Sequence, residues 1–208
     1  MTRESATLAA LGLRVHSGWA AVVAVTGDLN SPAVLHRARL KFADPKLAGS
    51  KQPYHAAEKL DLKQAEKLLQ RCSESSSLLA KKTLGDVVDD VERRGAKVSV
   101  GGVLLSSGRP LGTLAATLAS HALIHTAEGE FFRTAVIDAC KHHRLQVIAV
   151  KERELLDRFH QELHLPQAAL DQHLAAVGKA IGPPWREDQK LAMLVGWLAL
   201  AAARGTSE

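Results

Sequence analysis

The feature that most constrains this chain is a run with almost no polar alternation, VSVGGVLL, from Val98 to Leu105. A strand that offers no wet face must be covered on both sides, which is the condition of an interior strand in a parallel or mixed sheet. A second run of this kind spans Leu145 to Val150, and a helical region from Leu111 to His143 lies between the two. Two parallel strands need a crossover of about that length, and such crossovers are right-handed almost without exception.

Upstream, Leu8 to Val15 and Trp19 to Thr26 are strand-like runs joined by His16-Ser17-Gly18, and Val34 to Phe42 alternates as a half-exposed strand does. Together they predict an antiparallel meander, with Arg37, Arg39 and Lys41 on the solvent face of its third strand. A Pro/Gly/Ser loop from Asp44 to Pro53 follows, then a helical pattern from Leu62 to Arg94, weakened at Ser75-Ser76-Ser77 and Gly85 and ended by Gly95. After residue 150 come amphipathic segments at Glu152 to Leu163 and Gln167 to Ile181, a Gly182-Pro183-Pro184 break, and a last helix from about Arg186 to Ala203. The expected architecture is α/β: one domain over 1–208, with a mixed five-stranded sheet (three-strand antiparallel meander plus parallel strands), flanking helices, and a helical C-terminal part from about residue 152.

This order resembles the ribonuclease H-like superfamily, in particular the branch of the Holliday-junction resolvases. LGLRVHSGWAAVVAV is similar to that branch's first hairpin, VSVGGVLL to its fourth strand and REDQKLAMLVGWLAL to its final acidic helix. The resemblance implies phosphodiester cleavage by two metal ions held on carboxylates of the first strand, the fourth strand and the last helix, since two dications need that much negative charge. Here Arg14 stands at the first-strand position and VSVGGVLL carries no acid, while Glu187 and Asp188 open the last helix. The usual acidic centre is therefore expected to be degenerate, and a divalent metal held in the family's manner is not the favoured cofactor.

The ends of adjacent strands form the usual ligand crevice of such a sheet. There the sequence offers an anion-binding set, Arg14, Ser17, Ser107 and Arg109, since guanidinium groups and hydroxyls suit phosphate or carboxylate. Two plainer readings stand beside it: SSGRPLG as an ordinary loop, and Arg14 as the partner of Asp188 or Glu187 in an ion pair across the sheet.

A second candidate lies in SHALIHTAEGEFFR, residues 120–133. At about 100° per residue His121, His125 and Glu128 share one helix face, inside an element otherwise apolar nearly all round. The H-x3-H spacing suits two ligands of a helical zinc site with Glu128 as a third, although Ala122 stands where the HExxH pattern carries its general base. Catalytic acid/base work by His121, His125, Glu128 and Asp188 is the alternative, and a purely architectural hydrogen-bonded network is the third. Gly129 is a candidate helix break. His142-His143 reads as a surface pair at a helix end, Tyr54-His55 as a loop anchor, and Trp185 and Trp197 as packing anchors.

Composition narrows the partners. A formal net charge of +5 permits nucleic acid or a small anionic ligand, but the Lys and Arg residues are scattered. Aromatics make up only 4% of the chain, which argues against base stacking on exposed rings. Cys72 and Cys140 lie far apart and imply a reducing compartment. The last apolar run, 13 residues from Leu191 to Ala203, is short of the roughly 20 that span a bilayer, so the protein reads as cytoplasmic and not membrane-bound, and a homodimer is compatible with it. Function stays open among an anion or nucleic-acid binder, a small-molecule enzyme built on the His/His/Glu trio, and a non-catalytic interaction module.

Overall fold

The computed structural model describes residues 7–106 and 108–205. Three strands, β1 (Thr7–His16), β2 (Trp19–Asp28) and β3 (Ser31–Lys41), form the meander. They are followed by α1 (Pro53–Ala57), α2 (Leu62–Arg93), β4 (Ala96–Leu105), α3 (Leu114–Leu118), α4 (His121–His142) and β5 (Gln146–Lys151). A single 3-10 turn, Glu152–Glu154, then leads into α5 (Leu155–Leu163), α6 (Gln167–Ile181) and α7 (Glu187–Gly205). The sheet order is β3-β2-β1-β4-β5, with β1 antiparallel to β2 and parallel to β4, and β4 parallel to β5.

Strand alternation divides the interior into two cores. Ala9, Leu11 and Leu13 of β1 face a layer made by α2 and α4, including Leu84, Phe132 and Val136. Ala10 and the opposite faces of β2 and β4 meet α5, α6 and α7, including Phe159, Leu174 and Trp197. Burial of each such large side chain is worth about 1.5–3 kcal/mol, so both layers hold the sheet. That is why VSVGGVLL has no polar face.

The second layer has a steric condition that fixes the site. At Gly12 an added Cβ would overlap the Ala192 carbonyl and lie 2.6 Å from the Gly196 amide nitrogen, and at Gly102 it would overlap the Val195 carbonyl. The missing side chains let α7 press onto β1 and β4. With Gly12 against Ala192, Arg14 two residues along β1 reaches Asp188 one turn back along α7.

Several local expectations change. The 32 residues of α2 run unbroken through Ser75-Ser76-Ser77 and Gly85, because the His143 ring occupies the space beside Gly85 and its Nε2 meets the Lys81 carbonyl at 2.8 Å. His143 thus packs α4 against α2, while its ring also meets that of the exposed His142 edge-on at 5.1 Å. The 111–143 region splits, since Thr113 caps α3 by accepting from the Ala116 amide and a new helix begins at His121. Gly129 does not break α4; the Arg133 guanidinium lies over it. Gly95 ends α2 with φ +86°, as its sequence position predicts.

Candidate functional site

The C-terminal ends of β1 and β4 carry two constellations, one on each side of the sheet. On the α7 side, Arg14 donates from Nη1 to Asp188 Oδ1 at 2.7 Å and from Nη2 to Glu152 Oε1 at 3.0 Å. His16 Nε2 meets the same Asp188 oxygen at 2.9 Å. The guanidinium fork thus bridges an acid after β5 and an acid of the last helix. The Arg14 side chain is only 17% exposed, which strengthens the pairing relative to a surface bridge.

The end of β4 contributes Leu104, Leu105 and Ser106 and no carboxylate. Ser106 Oγ accepts from Arg133 Nη2 at 2.7 Å, and Arg133 is itself paired with Glu130 at 2.9 Å. A second guanidinium, buried in α4, therefore closes this end of the sheet.

Beside Arg14, the turn His16-Ser17-Gly18 returns the chain as β2, with φ +78° at Gly18, and sets the Trp19 ring parallel to the His16 ring at 4.3 Å. The Arg39 guanidinium of β3 lies 3.7 Å from the Trp19 ring centre, a cation–π contact. This stack separates two grooves. One, of about 340 Å³, is lined by Trp19, Arg37, Arg39, Arg186 and Asp188; the other, of about 470 Å³, by Ser17, Trp19, Arg39, Lys41 and Lys51. Among these lining residues five cations face one carboxylate, and that carboxylate is already paired with Arg14.

Arg37 departs from the solvent-facing role expected of it. Its guanidinium donates to the carbonyls of Ile181, Gly182, Pro183 and Pro184, clamping the break before α7 and so fixing where Arg186 and Asp188 begin. Carbonyls are neutral, so its positive charge stays on the groove wall.

On the α2/α4 side, α1 packs against α4, with Tyr54 edge-on to Phe131 at 6.2 Å. Pro53 opens α1, where its missing N–H costs nothing. This brings His55 over the face of α4 that carries the predicted trio. Glu128 Oε2 accepts from the backbone amides of Tyr54 and His55 at 3.2 and 3.3 Å and from His55 Nδ1 at 3.0 Å. Glu128 is 2% exposed, and its Oε1 has no hydrogen-bond partner among the described residues. Burial pushes its carboxyl above the usual range, against the opposing hydrogen bond from His55.

His121 and His125 are exposed, and their Nε2 atoms lie 3.0 Å apart. The His55 ring centroid sits 4.8 Å from that of His125 and 5.7 Å from that of His121. One potential ligand ring nitrogen from each of these three histidines falls within 4.8 Å of the others. The described metal-type cluster is thus His55, His121 and His125, with Glu128 behind it.

The sequence-derived candidates therefore separate. His121, His125 and Glu128 come together and gain His55. Asp188 does not join them: its described contacts are Arg14 and His16, across the sheet. In the anion set, Arg14 is engaged by two acids and Ser17 lines a groove, whereas Arg109 is exposed without a described partner and Ser107 lies outside the described residues. Sequence reasoning missed His55 as a site residue, and it missed Trp19, Arg39, Lys41, Lys51 and Arg186 as one surface. The alternation of Arg37, Arg39 and Lys41 along β3 was the available signal for part of that surface.

No protein-family model matches the sequence, and no curated protein matches it. Among solved structures the chain is similar to Thermus thermophilus RuvC in complex with a Holliday junction substrate, at a TM-score of 0.51 and 12% identity. The match covers 96% of this chain and 97% of that one. The fold is ribonuclease H-like. A second structure of Thermus thermophilus RuvC matches at a TM-score of 0.51 and 10% identity over the same shares of the two chains. At these identities the likeness concerns the fold, and the site must be read from this chain's own residues. Among the described residues no helix is long and apolar enough to cross a membrane.

Proposed function

We propose that this ribonuclease H-like chain binds structured nucleic acid on the basic face around Trp19 and Arg39, and that its usual acidic centre is degenerate and does not carry out two-metal cleavage. The observation that carries this reading is Arg14 Nη1 at 2.7 Å from Asp188 Oδ1, a fixed cation where the fold's metal centre needs carboxylates. The donor set does not fit a pair of divalent ions. A dication about 4 Å from a guanidinium is opposed by about 4 kcal/mol per unit of its charge at an effective dielectric near 20, and β4 offers no carboxylate in compensation. No catalytic step is assigned to metals at this place.

Support for an anionic partner comes from the two grooves. Five cations on their walls supply sequence-independent attraction for phosphates, and the Trp19 ring, held between His16 and Arg39, fixes the Arg39 guanidinium at the boundary of the two grooves. The solved relative in the fold comparison is described with a Holliday junction substrate, so a four-way junction is the first probe to use. Small anions remain the alternative partner class, distinguished by competition.

The test incubates the protein with end-labelled junction and linear duplex in Mg2+ or Mn2+, scoring binding and strand nicking separately. Junction binding that weakens steeply with salt, without nicking, is the expected result. Nicking that Asp188→Asn abolishes would overturn it.

A further inference from the structure

The geometry points to a second site, away from the basic face: we propose that His55, His121 and His125 bind one divalent transition-metal ion of the Zn2+ type, with Glu128 orienting His55 from behind. The proposal rests on the histidine cluster alone and stands or falls independently of nucleic-acid binding.

Three observations carry it. First, the three imidazoles converge from two elements far apart in sequence, with a ligand atom of each within 4.8 Å of the others. Tetrahedral Zn2+ with Zn–N bonds of about 2.0–2.1 Å sets its ligand nitrogens about 3.3 Å apart. The 3.0 Å between His121 Nε2 and His125 Nε2 thus needs to open by only a few tenths of an ångström. Both residues are exposed helical side chains one turn apart, free to make that adjustment.

Second, Glu128 stands where metal sites place an outer carboxylate. A carboxylate accepts, so the Nδ1 atom of His55, 3.0 Å from Glu128 Oε2, carries the proton, and Nε2 keeps the lone pair that a metal needs. Two backbone amides, of Tyr54 and His55, hold the same oxygen and fix the ring's direction.

Third, the carboxylate is 2% exposed and its other oxygen has no described donor. No Lys or Arg is paired with it among the described residues. Buried charges are ordinarily matched by a partner charge or a metal, and a dication on His55 provides one through a single ring. The neutral nitrogen donors select a borderline-soft ion over Mg2+ or Ca2+, which require oxygen ligands. Because His121 and His125 lie at the surface, the fourth coordination position opens to solvent, as in sites that keep a water or an anionic ligand.

The experiment uses the full chain, free of any histidine tag and treated with chelator, and adds Zn2+ in equilibrium dialysis and Co2+ in visible absorption. The expected result is one Zn2+ per chain, undisturbed by excess Mg2+, a tetrahedral Co2+ spectrum, and a Tm that rises on Zn2+ addition. His121→Ala and His55→Ala should each weaken binding by about 100-fold or more and abolish the Tm rise. Glu128→Gln should weaken it by about 10–100-fold. His142→Ala, which alters an exposed histidine outside the cluster, should leave affinity unchanged and so separates the site from adventitious surface binding. Because His121 is exposed, its variant should fold, as far-UV circular dichroism will show, and the result stays interpretable even where His55→Ala is unstable. Wild-type protein that binds no stoichiometric Zn2+, or His121→Ala that keeps wild-type affinity, would overturn the proposal.

Discussion

Replacing Arg14 with Ala isolates the ion pair on which the degenerate-centre reading turns, and its cost can be worked from the geometry. The Nη1 bond reaches Asp188 at 2.7 Å between side chains 17% and 29% exposed, so it ranks with hydrogen bonds to charged groups, at about 1.5–3 kcal/mol. The Nη2 bond reaches a Glu152 side chain that is 46% exposed and therefore screened, which leaves about 0.2–1 kcal/mol. Together these predict a loss of about 2–4 kcal/mol, or about 4–16 °C in Tm for a domain of this size. Urea titration followed by circular dichroism reads the first quantity and differential scanning calorimetry the second. A double-mutant cycle with Asp188→Asn should give a coupling of at least about 1.5 kcal/mol, since the two groups are in contact. Arg14→Lys should fall between, because an ammonium cannot bridge two acids in the plane of a fork. If Arg14→Ala stays within about 0.5 kcal/mol of the parent, or if the cycle is additive, Arg14 is not the structural cation described and the pairing argument fails.

Four further outcomes follow from packing, burial and backbone geometry. Gly12→Ala should destabilise by more than about 3 kcal/mol in chemical denaturation, because the added methyl meets the backbone of α7 and not a flexible side chain. Gly95→Ala, with open space around it but φ +86°, should cost only about 1–2 kcal/mol. Burial holds the Cys140 thiol up to about 12, so thiol reagents at pH 8 should label neither Cys140 nor the buried Cys72 until denaturant is added. The same shift means that folded Cys140 keeps its proton longer than the unfolded thiol. Stability should therefore decline as pH rises from about 9 toward about 12, and a Cys140→Ser variant should lose that part of the alkaline decline in denaturant titrations.

Much of the fold was legible because its constraints are local or periodic. VSVGGVLL could be read as a doubly covered strand from its lack of polar alternation, and it lies between β1 and β5 with helices on both faces. The meander followed from alternation along Val34 to Phe42. What escaped depended on contacts between distant residues. His55 meets Glu128 across 73 positions of sequence, so no helical periodicity connects it to the trio. Arg37 alternates as a solvent-facing residue should, yet it clamps carbonyls about 145 residues away. The stack of His16, Trp19 and Arg39 was equally out of reach, because Arg39 comes to the ring from a neighbouring strand. The continuity of α2 past Gly85 was equally hidden, because the His143 ring that fills the gap comes from another helix.

The most direct test of the nucleic-acid reading is the salt dependence of four-way junction binding by the parent chain and by a Lys41→Ala/Lys51→Ala double variant. Both lysines are exposed on one groove wall, outside either core, so the variant should fold normally. Each phosphate contact contributes about −0.9 to the slope of log K against log salt on duplex arms. If both lysines meet phosphates, the variant's slope should be shallower by about 1.8 and its binding weaker at every salt concentration. Identical slopes and affinities in the two proteins, or no salt-sensitive binding by the parent, would contradict the assignment of this face to nucleic acid.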